Sequence, residues 1–493
     1  FAFFDLKNQK AFLVRDFFGT KPLYYIQENN RFVFSSELTF LTSCFRDNSL
    51  EKSAVVSCLQ QLWTEAPITL FKEIKKLCIN QTLVVDLATG LVEEKKTSQF
   101  KKDEIDFPKK RREKYWIDKL EHLILENLKW QSKANTEVGY LLSGGLDSSL
   151  LLAMATTHGL ANKKTKAFSL LAEQGKNYDG FENDWTYASS LAKKLGVEIE
   201  GVMPEEYSEK NLKKWVKLMD EPILTPAIVG LDALCSRANE QGFRVLISGL
   251  GADELFGGYG RHQLLLKSKQ VPKIPMTFLS LLRPFLKINN RRFDKIAQIL
   301  SSSRSLRIAK SFHWLSDETM SSLLQHQIPE PSIEMELNWS NLLNYELRTY
   351  LAEHNLLYAD RIGMKNHIEI RVPYLTQEIY EIGHLSTEFL LKNHLPSKYL
   401  LKKVAEKYLP KSIIHRKKTG FGGSLKQFFL NHENSFWMEY FEQDFLDKQG
   451  IFNAQKLRQI LDEQVKGKKD NSYPLLAFIA LQLWMKEHVG QGS

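Results

Sequence analysis

The stretch VGYLLSGGLDSSLLLAM, Val138 to Met154, constrains this chain more than any other part of it. An apolar run leads into a turn of small residues with one carboxylate, Ser143-Gly144-Gly145-Leu146-Asp147-Ser148, and a second apolar run follows. A strand that ends in a glycine-rich turn and passes straight into a helix gathers several backbone N–H groups and the positive end of the helix dipole at one spot. Phosphate belongs there. Gly144 and Gly145 let the backbone come close to an anion, and Ser143 and Ser148 add hydroxyls. Asp147 is out of place beside a bare anion but fits when a divalent cation bridges it to phosphate oxygens, so a magnesium nucleotide explains the turn better than free phosphate. Taken alone, the turn also fits an ordinary helix cap. It is not the GxxxxGKS/T loop, and no lysine follows its glycines, which argues against a P-loop enzyme that transfers a γ-phosphate.

The rhythm on either side of the turn sets the fold class. A helix around Trp116 to Leu128 precedes the strand Val138 to Leu142, and a helix from Ser148 to His158 follows, ended by Gly159. Next come a strand from Lys166 to Leu170, a helix in ENDWTYASSLAKKLG, a helix from Pro226 to Gln241 and a strand from Phe243 to Ile247. Repeated strand–helix units predict a doubly wound parallel sheet, which binds ligands at the carboxyl ends of its strands. A second small-residue turn lies at such an end, in VLISGLGADELFGGYGRH, where Asp253 and Glu254 follow Gly249 and Gly251. If the two strands are neighbours, Asp253 can share a metal with Asp147.

Residues 1–92 read differently. FAFFDLKNQKAFLVRD, KPLYYIQENNRFVFSSE and QTLVVDLATG alternate apolar and polar residues around polar turns, with a helical pattern from Glu37 to Leu62, so a mixed domain with antiparallel sheets is expected. Residues 93–113 are polar and read as a linker, and 114–493 as the second domain. Within it, 264–335 has the pattern of helices broken by prolines and is expected as a helical insertion near the mouth of the site. A membrane-surface role for PMTFLSLLRPFLKINNRR is the less favoured reading beside a packing face. The net charge of +9 is spread among 58 acids, and no module clusters basic and aromatic residues, so a solvated surface is expected and no nucleic acid. Cys44, Cys58, Cys78 and Cys235 have no metal-ligand spacing and are too few for a disulfide framework, which fits a reducing cytoplasm. There is no run of eighteen apolar residues and no signal peptide.

In order along the chain, SGGLDSS, the SGxGxDELFGGY pattern, YADRIGM, IEIRVPYL and HRKKTGFG resemble the glutamine-dependent asparagine synthetase family. SGGLDS is shared by ATP pyrophosphatases at large, GMP and argininosuccinate synthetases among them; DELFGGY and RVPYL narrow the likeness to the asparagine synthetase-like branch. LVRDFFGTKPLYY and FVFSSELTFL look like the closing part of that family's N-terminal-nucleophile glutaminase domain. The resemblance implies an α/β chain: part of a glutaminase domain of α+β type, then a doubly wound ATP pyrophosphatase domain with extra helices. It also implies a reaction, in which ATP is cleaved between its α and β phosphates, aspartate becomes β-aspartyl-AMP, and ammonia from glutamine displaces AMP to give asparagine.

Residue by residue, the resemblance implies that Leu142, Ser143, Gly144, Gly145, Asp147 and Ser148 hold ATP and its pyrophosphate. It implies further that Ser169 lies near the adenosine, that Ser248 and Gly249 lie along the nucleotide, and that Asp147 and Asp253 bind Mg2+ and take part in catalysis. Lys418 is the matching position for a catalytic cation at the α-phosphate, with Arg416 and Lys417 beside it. Leu250, Gly251, Glu254, Glu369 and Arg371 are expected around the carboxylate substrate. The partners implied are small molecules, with room for a homodimer.

Two positions depart from the pattern. Leu250 stands where the family commonly has an acid, and Thr376 where it commonly has aspartate; a leucine neither accepts a proton nor binds ammonium. The acceptor therefore stays open between aspartate and another carboxylate, as in macrolactam- or β-lactam-type synthetases. A catalytically dead nucleotide sensor is the alternative from another class, and the presence of Asp147, Asp253 and Lys418 argues against it. The glutaminase nucleophile is an N-terminal cysteine, whereas Phe1 comes first here and Cys44, Cys58 and Cys78 are internal. A truncated chain is expected, with a glutaminase-free homologue that uses free ammonia as the alternative.

Overall fold

The computed structural model describes residues 1–28, 31–44, 49–96, 113–162, 164–171, 184–282, 290–325, 333–392, 397–416, 425–430 and 435–489. The N-terminal region holds two antiparallel sheets. One has the order β1-β2-β6-β7, from β1 (Ala2–Asp5), β2 (Lys10–Val14), β6 (Gln81–Asp86) and β7 (Val92–Lys96). The other has the order β4-β3-β5, from β3 (Tyr24–Glu28), β4 (Arg31–Ser35) and β5 (Lys75–Lys76). Alternation along β2 buries Ala11 and Leu13 against Leu23, Leu77, Leu83 and Val85, with Tyr25, Phe32 and Phe34 closing this small core from the second sheet. The helical pattern from Glu37 to Leu62 resolves into two helices, Leu38–Cys44 and Lys52–Gln61, the second capped by the Glu51 carboxylate on the Ser53 N–H.

The linker expected at 93–113 overlaps regular elements at both ends. Val92–Lys96 is a strand paired with β6 from Gln81↔Lys96 to Val85↔Val92, and Glu113 already begins the helix Glu113–Gln131. EEKK, residues 93–96, reads like linker because it lies on an edge strand, and edge strands carry charge that blunts further pairing.

The sheet of the second domain has the order β10-β9-β8-β11-β12, from β8 (Val138–Leu141), β9 (Lys166–Leu170), β10 (Glu198–Val202), β11 (Val245–Ile247) and β12 (Glu369–Arg371). Every pairing in it is parallel. From β8 the chain winds outward through β9 to β10, then returns to lay β11 on the other flank of β8. The expected doubly wound sheet is therefore present, and its switch point lies between β8 and β11, where Tyr140 pairs with Ile247. The helix Leu146–Thr157 after β8 is buried along nearly its whole length, as is Ser472–His488, so neither shows an amphipathic stripe. Among the described residues, 264–335 is helical and partly independent: Leu279, Phe293 and Ala297 form a small core of their own, while Arg307 is buried and donates to the Val271 carbonyl at 3.0 Å. No helix among the described residues is long and apolar enough to cross a membrane.

One apolar core runs from Phe18, Tyr24 and Trp63 of the N-terminal region into the second domain. Within it lies a buried ionic network. Lys76 Nζ sits 2.5 Å from Glu221 and 3.2 Å from Glu353, and donates to the Thr64 hydroxyl at 2.6 Å and carbonyl at 3.0 Å. Arg15 reaches the same Glu353 at 2.9 Å and the Leu77 carbonyl at 2.8 Å. Burial favours loss of the Lys76 proton, but Glu221 and Glu353 outweigh it and raise its pKa, so the lysine stays charged. Lys76→Met strands the buried Glu221, while Glu353 keeps Arg15, and is expected to lower stability by about 3–5 kcal/mol, read as the urea midpoint of unfolding; Lys76→Met with Glu221→Leu should recover much of that loss.

Candidate active site

Both turns leave the sheet at the switch point. After β8, the Leu142 N–H is held by the Phe168 carbonyl at 2.9 Å, and the turn closes on itself through Ser148 Oγ, 3.2 Å from the Ser143 N–H and 3.1 Å from the Ser143 hydroxyl. The next helix, Leu146–Thr157, has Gly145 as its N-cap and no side-chain cap, so no cap side chain takes its leading N–H groups. The two glycines do different things. Gly144 has φ +65°, and a Cβ there would come within 2.7 Å of the Asp184 carbonyl, so its bare Cα packs on the helix Asp184–Leu195. Beside Gly145 only Ser143 Oγ lies near.

After β11, the Ser248 N–H bonds the Arg371 carbonyl at 2.8 Å and the Leu250 N–H approaches Ser248 Oγ at 3.3 Å. The helix Ala252–Phe256 then carries Asp253 and Glu254. Neighbouring strands bring the two aspartates together, and a lysine joins them: Lys398 Nζ is 2.6 Å from Asp147 Oδ2 and 2.6 Å from Asp253 Oδ1. Lys398 is buried and anchored by its own N–H on the Phe256 carbonyl at 3.0 Å. A Cβ at Gly258 would overlap both Asp253 Oδ1 and the Lys398 side chain, so the second glycine of DELFGGY is required by close approach. Burial works against the Lys398 charge, yet Asp147 and Asp253 prevail and hold its pKa above the usual lysine range. Nearby Lys402 moves the other way, lowered by burial and then by Lys398.

Around this point lies a cavity of about 620 Å³. Ser143, Gly145, Asp147 and Ser148 border it on one side and Ser248, Gly249, Leu250 and Asp253 on another; Leu142, Ser169, Gly251 and Glu254 contribute as well. Glu254 is buried and accepts from the Tyr259 hydroxyl at 2.7 Å and the Asn355 amide at 2.9 Å. Burial, then Asp253 and Glu346, push its carboxyl up to about 7. Arg416 closes the rim, approaching the Ser143 carbonyl at 3.4 Å, pairing with Asp184 and lying 4.4 Å from the centre of the Tyr187 ring.

The asparagine synthase family model matches residues 119–486, and that of the glutamine amidotransferase domain matches residues 1–96. This chain belongs to the asparagine synthase family. It is 26% identical, over 98% of its length and 76% of the relative's, to asparagine synthetase (glutamine-hydrolyzing) 1 of Bacillus subtilis. A Methanocaldococcus jannaschii protein that carries the same name provisionally is 28% identical over 85% of this chain and 67% of its own length.

Against the expectations for such a synthase, most residues named from the sequence meet at one cavity and three do not. Gly144 turns away from it, as its contact with Asp184 requires. Glu369 and Arg371 do not border it. Arg371 donates to the Gln131 carbonyl at 2.6 Å and the Lys133 carbonyl at 2.8 Å, and pairs with half-exposed Glu369 at 3.0 Å, so its guanidinium closes the end of the helix Glu113–Gln131. Its strand pairs only with β11, at the sheet edge. Lys418 and Lys417 lie outside the described residues. Lys398 was missed: in LPSKYLLKK it looks like one more solvated lysine, and only the two aspartates give it meaning.

Among the described residues no three His, Cys, Asp or Glu side chains gather as a metal centre. Asp147 and Asp253 nevertheless suit a hard divalent cation, since both offer carboxylate oxygens to one point already shared by an ammonium, and phosphate oxygens can complete the shell.

The far wall includes His354, whose Nδ1 lies 2.8 Å from Asn355 Oδ1; burial drives its pKa down from 6.5 to about 4. The unfolded chain takes up this proton below 6.5 and the folded one only near 4, so stability falls as pH drops through that window. His354→Phe keeps a ring and should remove roughly 3 kcal/mol of this acid sensitivity, measured as the change in unfolding free energy between about pH 7 and pH 4.

Proposed function

We propose that this chain, an ATP-dependent carbon–nitrogen ligase by family, makes L-asparagine from L-aspartate through β-aspartyl-AMP, with ammonia taken from glutamine. The observation that carries the proposal is the meeting of Asp147 and Asp253 on one cation, across neighbouring parallel strands and beside a helix N-terminus that no side chain caps. An uncapped helix start with adjacent hydroxyls receives phosphate oxygens, and paired carboxylates beside it suit a nucleotide that arrives with its metal.

In this reading the N–H groups and hydroxyls of Ser143, Gly145 and Ser148 hold the β and γ phosphates, with Ser248 and Gly249 along the nucleotide and Ser169 toward the adenosine. Asp147 and Asp253 would hold Mg2+, which when bound neutralises charge on the departing pyrophosphate. Lys398 keeps the two aspartates together and is a second fixed positive charge at that point. Lys418 has the role of the cation at the α-phosphate. The aspartate side-chain carboxylate attacks the α-phosphorus, the α–β bridging P–O bond breaks, and its electron pair leaves with pyrophosphate. Ammonia then attacks the acyl carbon, the acyl C–O bond breaks with its pair going to AMP, and one proton leaves the nitrogen. Fixed dipoles and cations at the leaving group lower both barriers because they need no reorganisation as charge develops.

One observation favours a second reading with the same chemistry. Leu250 borders the cavity where an acid is common in the family, so the carboxylate accepted here can differ from aspartate.

With Mg-ATP and ammonium, aspartate should stimulate release of pyrophosphate and AMP in step with asparagine. Asp147→Asn should cut pyrophosphate release by about a hundredfold or more while leaving the urea midpoint close to that of the parent. Retained release in that variant would refute the role given to Asp147, and release without asparagine would move the assignment to another carboxylate.

A further inference from the structure

Away from the cavity, positive charge gathers in one stretch of the chain. Between Glu254 and Asp294 there is no Asp or Glu and there are eight Lys or Arg, against a net charge of +9 for all 493 residues. The middle of this stretch holds the helix Met276–Leu282, which packs on the helix Asn290–Ser301 through the small separate core of Leu279, Phe293 and Ala297. The base of the pair is fixed. The Ile274 N–H bonds the Leu300 carbonyl at 3.0 Å, and buried Arg307 donates to the Val271 carbonyl at 3.0 Å and the Pro272 carbonyl at 3.2 Å.

The two sides of Met276–Leu282 differ. Leu279 is buried against Phe293, whereas Phe278 and Leu281, three positions apart and so neighbours on the helix surface, are 54% and 70% exposed. The packing face expected in PMTFLSLLRPFLKINNRR is therefore the Leu279 side, and the other side turns two large apolar side chains to solvent. Exposed apolar residues scattered singly are ordinary. A neighbouring pair on a fixed backbone, in a stretch of uncompensated charge, is a different matter. Lys267, Lys269, Lys273 and Arg292 are exposed and have no ion pair among the described residues.

Exposed apolar side chains among unpaired cations match a ligand that is anionic at its surface and hydrocarbon just beneath it, which is the structure of an acidic lipid leaflet. Nucleic acid would use the charge and leave Leu281 in water. We infer that the outer side of Met276–Leu282 is a docking surface for an anionic lipid bilayer, with Phe278 and Leu281 entering the headgroup boundary and Lys267, Lys269, Lys273 and Arg292 supplying the attraction to lipid phosphate. A helix of seven residues is far too short to cross the hydrocarbon, so the chain lies on the bilayer and leaves it reversibly. The inference is independent of which carboxylate the cavity accepts.

The test sediments the protein with vesicles of phosphatidylcholine alone and of phosphatidylcholine with about 30% phosphatidylglycerol, at about 0.05 M and about 0.5 M NaCl. The parent should partition onto the anionic vesicles at low salt, bind them roughly tenfold or more weakly at high salt, and leave the neutral vesicles bare. Phe278→Ser with Leu281→Ser should lower the partition constant roughly tenfold or more, while the urea midpoint and pyrophosphate release without lipid stay at the parent's values. Lys267→Gln, Lys269→Gln and Lys273→Gln together should lower it by a similar factor and flatten the salt dependence. A folded parent that stays in the supernatant with anionic vesicles overturns the inference. So does parent-like binding by the Phe278 and Leu281 double variant, which would assign the attraction to charge alone. Sedimentation velocity without lipid supplies a further check: a dimer of the parent that the double variant abolishes would make a second copy of this chain the occupant of the surface, and the lipid assignment would fall.

Discussion

Two carboxylates at the end of neighbouring strands repel each other, and the site exists because a buried lysine lies between them. Lys398 lets Asp147 and Asp253 approach a common point at 2.6 Å each. Without a cation there, two carboxylates would face each other with nothing to offset their repulsion. Much of the surrounding structure serves that contact. The return of β11 to the free flank of β8 brings the two turns side by side, Gly258 leaves space for Lys398, and the Tyr374 hydroxyl holds the Asp147 carbonyl at 3.0 Å.

A second ionic cluster ties the two halves of the chain together. Arg15 and Lys76 come from the N-terminal region, and Glu221 and Glu353 from the synthase domain. Such a network adds little net stability over an apolar contact, but it penalises every arrangement of the two surfaces that leaves a charge unpaired. The π-helical segment carries Glu353 toward this junction and His354 and Asn355 toward the cavity. Junction and site therefore share one short element, and Trp63 of the N-terminal region borders the cavity too.

Legibility followed the range of the forces involved. SGGLDSS and GLGADELFGG could be read because turn chemistry is local: glycines where backbone must bend or approach, hydroxyls at a helix start, a carboxylate where a cation is wanted. The repeated strand–helix rhythm gave the parallel sheet for the same reason. Glu369 and Arg371 were named from the family pattern, which carries no sign of partners distant in the chain, and Arg371 is claimed by carbonyls about 240 residues earlier. Residues 93–96 were mistaken for linker because an edge strand has the composition of one. Of the two glycines in the first turn, the sequence could not say that Gly144 is spoken for by the helix Asp184–Leu195.

By itself, then, the sequence determined the class of the second domain, the strand ends at which ligand chemistry is concentrated, and the residue types gathered there, because each depends on neighbours within a few positions. Only the tertiary structure decided which charges meet. Lys398 reaches Asp147 across 251 positions, and Arg261 is paired with Glu346 at a separation of 85. A lysine or arginine has the same local pattern whether it is solvated or buried, and what distinguishes the two is the carboxylate that folding brings opposite it.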